Sequence, residues 1–223
     1  HGEADHIGGA EAVVKAIPVR RILMNGSVKR QPAVAQVYDA AVRARIPIHE
    51  LAAGTVLEID RHSTLTVYHP PPTAGGLTEQ PEQNGASLVF VLRMFDRTFL
   101  FTGDIGAAEE QQILAGRGDT AGGGEPAASD GEGAPGRSGL PDIDVLKVAH
   151  HGSRHSTTSA WLASWRPEFA VISAGRNNRY GHPHPDTLQR LLDHRVIVFQ
   201  TAVNGEIRFR IGRDGMRIET ALD

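Results

Sequence analysis

The first nine residues of this chain, with the sequence HGEADHIGG, hold a dense cluster of metal-binding side chains. His1, Glu3, Asp5 and His6 place two imidazoles and two carboxylates within six positions. Imidazole nitrogens and carboxylate oxygens are ligands that divalent cations take from proteins, and alternate residues of an extended turn can converge on one point. A solvated, frayed N-terminus would use the same residue types. The recurrence of these types in later turns favours a metal site instead.

The composition limits what can bind a metal. The chain has 223 residues, a net charge of −3 and no cysteine. Without cysteine neither a disulfide framework nor a thiolate site can form, so any metal must be held by His, Asp and Glu. The length allows one sizeable domain or two small ones, and we expect a single domain over residues 1–223. The mild acidic balance argues against broad nonspecific nucleic-acid binding, although a local basic rim can still hold phosphates.

The first motif begins at the first residue of the sequence. No strand precedes His1 to hold the motif in place. We therefore expect the strands that carry it to lie before His1 in a longer protein. The sequence contains no run of about 18 apolar residues and opens with no basic segment followed by an apolar one.

Hydrophobic periodicity predicts alternating helices and strands in the first half of the chain. Apolar residues at helical spacing predict helices over 10–17 and 32–44, the first ended and the second begun by a proline. Apolar runs and two-residue periodicity predict strands over 19–24, 48–51, 55–59 and 65–68. Residues 70–85, rich in Pro, Gly, Thr and Gln, are predicted to form a loop.

The second half continues this alternation and ends in hairpins. Strands over 87–93 and 98–102 are predicted to pair about a turn at Phe95. Further helices are predicted over 107–114, 159–165 and 185–194, and further strands over 144–149, 169–173, 196–201, 206–211 and 215–220. Residues 116–139 are dominated by small and acidic residues, so we expect a disordered insertion that cannot offset its own ordering entropy. The pattern predicts two mixed sheets covered by helices on the outside.

Four predicted loops carry the candidate ligands. They are the segment from His1 to His6, the pair Gly103–Asp104, the pair His150–His151, and residues 181–184. Each follows, or would follow, a strand and precedes a helix or turn. All four can therefore lie along one edge of the sheets, where open sites in layered folds are built, and we predict that they meet in one pocket.

The order of four short motifs resembles the metallo-β-lactamase hydrolase superfamily. The motifs are HxExDHIGG, FTGD, KVAHHGS and NRYGHP, and they span nearly the whole chain apart from 116–139. The last three look like those of the C-terminal hydrolase domain of ComEC-type competence proteins. The first and third motifs together are a specific signal of this superfamily, whereas FTGD alone would be a weak one. The resemblance implies an α/β fold that is a four-layer αββα sandwich of two mixed β-sheets.

The resemblance also implies a site for one or two divalent ions. It assigns His1, Glu3 and His151 to the first ion, Asp5, His6 and His182 to the second, and Asp104 to both as a bridge. Glu3 departs from the pattern, because many members of the superfamily have histidine there. A carboxylate in that place adds a hard oxygen ligand to the site, so manganese and magnesium become alternatives to zinc.

Such a site has a direct use in ester hydrolysis. Two cations about 3.5–4 Å apart lower the pKa of a shared water and take up charge on the oxygens of a phosphorus or carbonyl centre. Asp5 can accept a proton from that water. We therefore expect Asp5, Asp104 and His150 to be the catalytic residues.

Two neighbouring pairs of histidines leave alternatives open. One of His150 and His151 can be the ligand while the other lines the cleft or bonds a phosphate, and we favour His151. We likewise favour His182 over His184, which can begin the next helix. Polar side chains around the last two loops are either ordinary surface residues or a cradle for a phosphodiester backbone. The residues that we predict for substrate binding are Ser153, Arg154, Asn178, Arg179 and His184.

The leading hypothesis is a metal-dependent phosphodiesterase, most specifically a nuclease acting on DNA. The ligands indicate the chemistry, whereas the DNA substrate is implied by the resemblance to ComEC-type proteins, which the family links to uptake of transforming DNA. The resemblance implies that the chain is the extracytoplasmic, C-terminal domain of a bacterial polytopic membrane protein, whose remainder is its partner. Two alternatives stay open: a hydrolase of another ester, such as a phosphocholine ester, and a metal- or DNA-binding module without turnover.

Overall fold

The computed structural model describes residues 1–26, 32–72, 84–116 and 140–222. The α-helices in these ranges are α1 (Ala4–Ile7), α2 (Ala10–Ala16), α3 (Pro32–Ala44), α4 (Ala107–Ala115), α5 (Ser159–Trp165), α6 (Pro185–Asp193) and α7 (Thr201–Asn204). The strands are β1 (Ile22–Met24), β2 (Ile48–Glu50), β3 (Val56–Asp60), β4 (Ser63–His69), β5 (Val89–Met94), β6 (Arg97–Phe101), β7 (Val145–Lys147), β8 (Phe169–Ile172), β9 (Ile197–Gln200), β10 (Ile207–Gly212) and β11 (Gly215–Thr220).

Seven strands form one mixed sheet in the order β3-β4-β5-β6-β7-β8-β9. The strands from β3 to β6 pair antiparallel, and the tight β5–β6 turn places Phe95 at a φ of 53°. From β6 to β9 the neighbours are parallel, with α5 and α6 as the connections between β7, β8 and β9. Parallel strands need such crossovers, which place the carboxyl ends of β6, β7 and β8 at one edge of the sheet. The loops that carry Asp104 and the His150–His151 pair leave from this edge.

The main core lies between one face of this sheet and helices α4, α5 and α6. Leu100 and Leu146 of the sheet pack there with Trp161, Trp165 and other apolar residues of the helices. Both tryptophans are fully buried. Burying side chains of this size contributes strongly to folding, because each removes a large apolar area from water.

The other face of the sheet is covered by the remaining strands. Leu65 and Val67 of β4 pack with Leu51, which follows β2. Phe99 alternates with Leu100 along β6 and so points to this face, where it makes an edge-on contact with Phe209 of the β10–β11 hairpin. The parallel pair β1–β2 and the antiparallel pair β10–β11 therefore form the second β layer in the part of the chain that the structure describes.

Helices α1, α2 and α3 form the outermost layer on this side. Val34 and Val37 of α3 are buried with Met24 of β1, and Ile7 and Ala10 pack against them. The apolar residues of α3 recur at helical spacing, which is why one stripe of that helix is buried. The order of layers is thus helix, sheet, sheet, helix, and the predicted α/β, αββα fold class is confirmed. The second layer consists of two separate strand pairs among the described residues.

The predicted elements agree with the structure except where an element is very short. The helices predicted over 32–44 and 159–165 and the strand predicted over 215–220 match α3, α5 and β11. The strand predicted over 144–149 is shorter, because the chain leaves β7 after Lys147. Helices α1 and α7 were not predicted, since four residues are too few to show a helical period. In α7 the side chain of Asn204 accepts a hydrogen bond from the Gln200 N–H, which closes the turn.

Two sequence predictions fall largely outside the described residues. The insertion predicted over 116–139 begins at Gly116, which ends α4, and residues 117–139 lie outside the described ranges. The predicted loop over 70–85 likewise falls partly on residues 73–83, which are not described. The insertion and the single domain over 1–223 remain predictions. Of the helices in the described ranges, none combines the length and apolar character needed to cross a membrane.

A largely buried carboxylate joins β6 to the start of β7. Asp144 accepts hydrogen bonds from the Thr98 N–H at 2.7 Å, the Thr98 hydroxyl at 2.8 Å and Arg97 Nη1 at 2.9 Å. Burial acts to raise the pKa of Asp144, but the hydrogen bonds from Thr98 and Arg97 outweigh it, so the pKa lies below its ordinary value of 3.8. Ionised Asp144 therefore stabilises the folded state above that pH, and this contribution is lost as the pH falls through the lowered pKa.

We expect Asp144→Asn to lower the free energy of unfolding by about 1–3 kcal/mol at pH 7, because the amide removes a charged acceptor from three donors. The deficit should begin to shrink as the pH falls below the ordinary value of 3.8, and shrink further as wild-type Asp144 is protonated at its lowered pKa. Urea denaturation at a series of pH values measures both effects.

Asp142→Asn is the matched control, because Asp142 pairs with Arg166 but its side chain is 59% exposed. Exposed ion pairs contribute little, so this variant should lose less than about 1 kcal/mol. A deficit for Asp144→Asn that stays constant from neutral to acid pH would contradict the assigned role of its charge.

Candidate metal centre

The first motif begins extended and continues as one helical turn. Glu3 is extended and precedes α1, which carries Asp5 and His6. The extended turn expected for these residues is therefore wrong from Ala4 onward, where an α-helical hydrogen bond of 3.0 Å joins the Ile7 N–H to the Glu3 carbonyl. Gly8 ends this turn and packs closely against its backbone. A Cβ at Gly8 would lie 2.4 Å from the carbonyl oxygen of Ala4.

Asp104 lies just beyond the carboxyl end of β6 and is 3% exposed. Gly103 before it has a φ of +53°, and a Cβ at Gly103 would come within 2.6 Å of the Cβ of Ser87. Only glycine allows this approach. The Ser87 hydroxyl accepts the Asp104 N–H at 3.0 Å and lies 3.2 Å from His1 Nδ1. Ser87 is completely buried. Through these two contacts it connects the first motif to Asp104.

The His150–His151 pair leaves the sheet through left-handed backbone conformations. The φ angles are 48° for His150, 54° for His151 and 86° for Gly152. This turn directs both imidazoles to Asp104 Oδ2, with Nε2 of His151 at 3.5 Å and Nε2 of His150 at 4.0 Å. His151 Nδ1 lies 2.8 Å from the carbonyl oxygen of Ser173. Because a carbonyl only accepts, Nδ1 carries the proton and Nε2 keeps its lone pair for a cation.

The last loop orients His182 towards the cluster. Asn178 accepts the His182 N–H at 2.9 Å and donates to the His182 carbonyl at 2.6 Å. The His182 ring centre lies 5.9 Å from that of His150. His184 instead caps α6, where its Nδ1 accepts the Asp186 N–H at 3.2 Å. His184 thus has a structural contact, and the choice of His182 as the ligand remains a prediction.

Four imidazoles surround one oxygen of Asp104. In addition to the His150–His151 pair, Nε2 of His6 lies 3.2 Å and Nε2 of His1 4.0 Å from Asp104 Oδ2. The structure thus brings together loops that are far apart in the sequence.

The potential ligand atoms form two groups, each with all its atoms within 4.8 Å of one another: His1, His6 and Asp104 in one, and Asp5, His6 and His151 in the other. This grouping differs from the one that the resemblance implies. Asp5 Oδ2 lies 3.3 Å from His151 Nε2, although the resemblance assigns these residues to different ions. Glu3 is 3.9 Å from His1 Nε2. The seven predicted ligands remain a prediction, as does their division between two ions.

Buried polar atoms without partners mark this centre as a place for a cation. Asp104 Oδ1, His1 Nε2, His151 Nε2 and His182 Nδ1 are buried and have no hydrogen-bond partner among the described residues. Leaving such an atom unpaired costs about 1–3 kcal/mol. Imidazole and carboxylate donors suit divalent cations such as zinc and manganese. The residues present therefore fit a divalent metal.

The electrostatics favour the protonation states that metal binding requires. Burial acts to raise the pKa of Asp104, but the hydrogen bond from His6 and the nearby His151 and His150 imidazoles outweigh it, so the pKa of Asp104 lies below its ordinary value. Burial and the same pair of histidines lower the pKa of His182. A carboxylate that is ionised and an imidazole that is neutral are the forms that bind cations.

A cleft of about 430 Å³ opens beside the cluster. Its walls include Asp5, His151, Asn178, Tyr180 and His182. The cleft is open to solvent, and Asp5 has a side chain that is 57% exposed. Candidate ligands on the wall of an open cleft are typical of a catalytic site, since structural metal sites are closed.

The residues predicted for substrate binding have different surroundings. Ser153 is buried, and its hydroxyl accepts the His155 N–H at 3.3 Å. Arg154 and Arg179 are exposed. Asn178 lines the cleft and also holds the backbone of His182. Ser153 and His184 thus have structural contacts, and a substrate role for the set stays a prediction.

Three residues at the site were not found from the sequence. Ser87 contacts His1 across 86 positions of sequence, so no local pattern indicates it. Ser173 acts through its carbonyl, which every residue type has. Tyr180 lies within the motif NRYGHP, and its place between Arg179 and the glycine of that motif was a signal that could have been used.

The layered fold and the imidazole–carboxylate cluster at one sheet edge define a metal-dependent hydrolase. The family model described as the metallo-beta-lactamase superfamily matches residues 1–176, which is most of the chain. The chain belongs to the metallo-beta-lactamase superfamily. The resemblance seen in its four motifs is confirmed, and with it the expectation of divalent metal binding.

The chain is similar to three curated proteins, two of which are named as a recombination protein and a competence protein. The chain is 32% identical over 214 residues to ComE operon protein 3 of Bacillus subtilis. This match covers 94% of this chain and 24% of that protein. It is 42% identical over 82 residues to Recombination protein 2 of Haemophilus influenzae, covering 37% of this chain and 10% of that protein. It is 35% identical over 75 residues to Competence protein ComA of Neisseria gonorrhoeae, and this match covers 34% of this chain and 11% of that protein. The chain thus spans about a quarter or less of these relatives' length.

One solved structure similar to the chain is a crystal structure described as a metal-dependent hydrolase from Parabacteroides distasonis. The match has a TM-score of 0.43 and 11% sequence identity, and covers 85% of this chain and 79% of the other. At this level the similarity carries no argument about the site.

We expect Ser87→Ala to weaken divalent-metal binding about 10- to 100-fold, because it removes the group that orients His1 and fixes the backbone of Asp104. Calorimetric titration of the metal-free protein with manganese or zinc measures the affinity. Thermal unfolding of the same samples verifies that the variant is folded.

Ser63→Ala is the control, since Ser63 is also buried but lies on β4 outside the cluster. Its metal affinity should equal that of the wild type. Equal affinities for Ser87→Ala and the wild type would show that Ser87 does not position the ligands.

Proposed function

We propose that this domain is a metal-dependent phosphodiesterase, and specifically a nuclease that degrades DNA during uptake of transforming DNA. The observation that carries the proposal is the convergence of four imidazoles on buried Asp104, next to an open cleft. Such a site can stabilise the charge that develops in a transition state, and its open cleft leaves room for a large substrate. These are the requirements for hydrolysing an ester within a polymer.

The residues that would hold one or two divalent ions are His1, Glu3, Asp5, His6, Asp104, His151 and His182. Manganese and zinc suit this mixture of imidazole and carboxylate, and magnesium is an alternative that the carboxylates favour. When bound, such ions supply a water of lowered pKa and neutralise charge on phosphoryl oxygens.

Asp5 on the cleft wall and His150 of the cluster have separate roles in the proposed reaction. A water oxygen bonds to phosphorus as one ester P–O bond breaks. Asp5, which is exposed and 3.3 Å from His151 Nε2, accepts a proton from that water. His150, with a side chain 34% exposed, donates a hydrogen bond to a non-bridging phosphoryl oxygen. The departing oxygen takes a proton from solvent at the open mouth of the cleft.

Two observations support DNA as the substrate. Arg176 and Arg179 are exposed in the loop that lines the cleft, so they can contact phosphates on either side of the scissile bond. Two of the relatives that match the chain are named as a recombination protein and a competence protein. The positive charge is local, since the chain as a whole has a net charge of −3.

We also propose that the domain works as the C-terminal, extracytoplasmic part of a larger bacterial membrane protein. The support is the alignment of 94% of the chain with 24% of ComE operon protein 3. Protease added to intact cells that make the full-length protein should cleave this domain. Cleavage only after permeabilisation would place it on the cytoplasmic side instead.

We expect the purified domain to cleave labelled DNA in the presence of manganese or zinc, and to stop when the metal is chelated. Asp104→Asn and His6→Ala should each lower the rate at least about 100-fold, since each removes a contact that stabilises charge in the transition state. Separation of the labelled products on a denaturing gel gives the rates.

His49→Ala is the matched control, because His49 is exposed on β2, outside the cluster. Its rate should equal that of the wild type. Cleavage of DNA at the same rate by all four proteins would refute the proposal. Cleavage of a chromogenic phosphodiester that oligonucleotides cannot inhibit at low salt would favour a small phosphoester as substrate, because contacts to the DNA backbone are strongest at low salt.

A further inference from the structure

Tyr180 is a large aromatic residue left open on the wall of the cleft. It is 66% exposed and lines the same cleft as Asp5, His151 and His182. The larger aromatic residues of the core, such as Trp161 and Trp165, are completely buried. Tyr180 therefore has no packing role that accounts for its size, and its apolar ring faces the space that a substrate would occupy.

Two neighbours hold the ring of Tyr180 in place. The ring lies nearly parallel to that of His182, with an interplanar angle of 21° and 5.9 Å between ring centres. The guanidinium carbon of Arg179 lies 4.8 Å from the ring centre, and Arg179 Nη2 donates a hydrogen bond of 2.6 Å to the Tyr180 hydroxyl. Neither neighbour covers the ring, because most of the residue stays exposed. The ring is thus oriented before any ligand binds, which lowers the entropy lost on binding.

We propose that Tyr180, together with Arg179, forms a stacking subsite for an unpaired nucleobase of the substrate strand. The inference rests on the proposed nuclease function and names the form of DNA that the cleft takes. Aromatic side chains bind bases by stacking, without regard to their identity. The position of Tyr180 directly beside His182, a candidate ligand, places the base next to the phosphate that would be hydrolysed.

The geometry selects a single strand. A base inside a duplex already stacks on both neighbours and has no free face for Tyr180, so it would have to be unstacked first. A base in a single strand or at a frayed end is available without that cost. Arg179 adds a positive charge beside the ring for an adjacent phosphate. The cleft therefore prefers single-stranded DNA over duplex DNA of the same sequence.

The test combines a protein variant with a chemical change in the DNA. Metal-loaded wild type and Tyr180→Ala are each titrated with two fluorescent single-stranded oligonucleotides that have cleavage-resistant phosphorothioate linkages. One carries thymine at every position and the other is abasic, and fluorescence anisotropy gives the four dissociation constants.

Tyr180→Ala should weaken binding of the thymine oligonucleotide about 5- to 100-fold. The variant and the wild type should bind the abasic oligonucleotide within about 2-fold of each other, because no base is present to stack. Equal losses on both oligonucleotides would overturn the inference, since the ring would then act on something other than a base.

Two more variants separate stacking from other causes. Tyr180→Phe keeps the ring and loses the hydroxyl, so it should bind the thymine oligonucleotide within about 3-fold of the wild type. Leu192→Ala removes an equally exposed apolar side chain on α6, outside the cleft, and should bind as the wild type does. Metal analysis of Tyr180→Ala completes the set. A loss of metal that matches the loss of binding would show that the ring acts by holding His182, and would overturn the stacking role.

These measurements are independent of turnover, so they can be read separately from the nuclease test. Base-dependent binding at Tyr180 in a protein that cleaves no DNA would refute the nuclease proposal and leave the stacking subsite standing. Cleavage of DNA with the same KM for wild type and Tyr180→Ala would support the nuclease and refute the subsite.

Discussion

The buried carboxylate of Asp104 is the group on which the rest of the site depends. A carboxylate that is 3% exposed is costly to ionise unless opposite charges and hydrogen bonds compensate for its lost hydration. Four imidazoles near its Oδ2 and a bound metal can both supply that compensation, and the hydrogen bond from its own N–H to Ser87 fixes where it stands. One residue thus requires that the N-terminal motif and the loop after β7 meet at one place.

The backbone conformation of the loop after β7 orients the imidazoles of His150 and His151 towards Asp104. His150 and His151 both have left-handed conformations, which cost roughly 1–2 kcal/mol per residue and persist only where the surroundings hold them. The parallel strands β7 and β8 and the core beneath them provide that support. The carbonyl of Ser173 then fixes the His151 ring, and the amide of Asn178 fixes the backbone of His182. Local strain at the edge of the sheet is thus offset by packing and by hydrogen bonds to the backbone.

The cleft combines two kinds of wall. On one side, imidazoles and carboxylates provide ligands and proton acceptors for the centre of a reaction. Next to them, the Tyr180 ring offers apolar surface, and Arg176 and Arg179 are exposed in the same loop. This division fits a polymer with charged linkages and flat apolar bases. Membership of the metallo-beta-lactamase superfamily accounts for the first wall, whereas the second wall depends on the loop before His182.

The amino-acid sequence was enough to predict the long helix over 32–44, the alternation of strands and helices, and the types of ligand in the HxExDH motif. These depend on local periodicity and on the chemistry of each side chain, so they can be read without distances. Four features became visible only in the folded chain: Asp5 and His6 lie on a helical turn, His151 faces Asp5, His184 caps a helix, and Ser87 joins His1 to Asp104. Those outcomes rest on contacts between residues far apart in the chain, such as the 86 positions between His1 and Ser87, and no local pattern encodes such a distance.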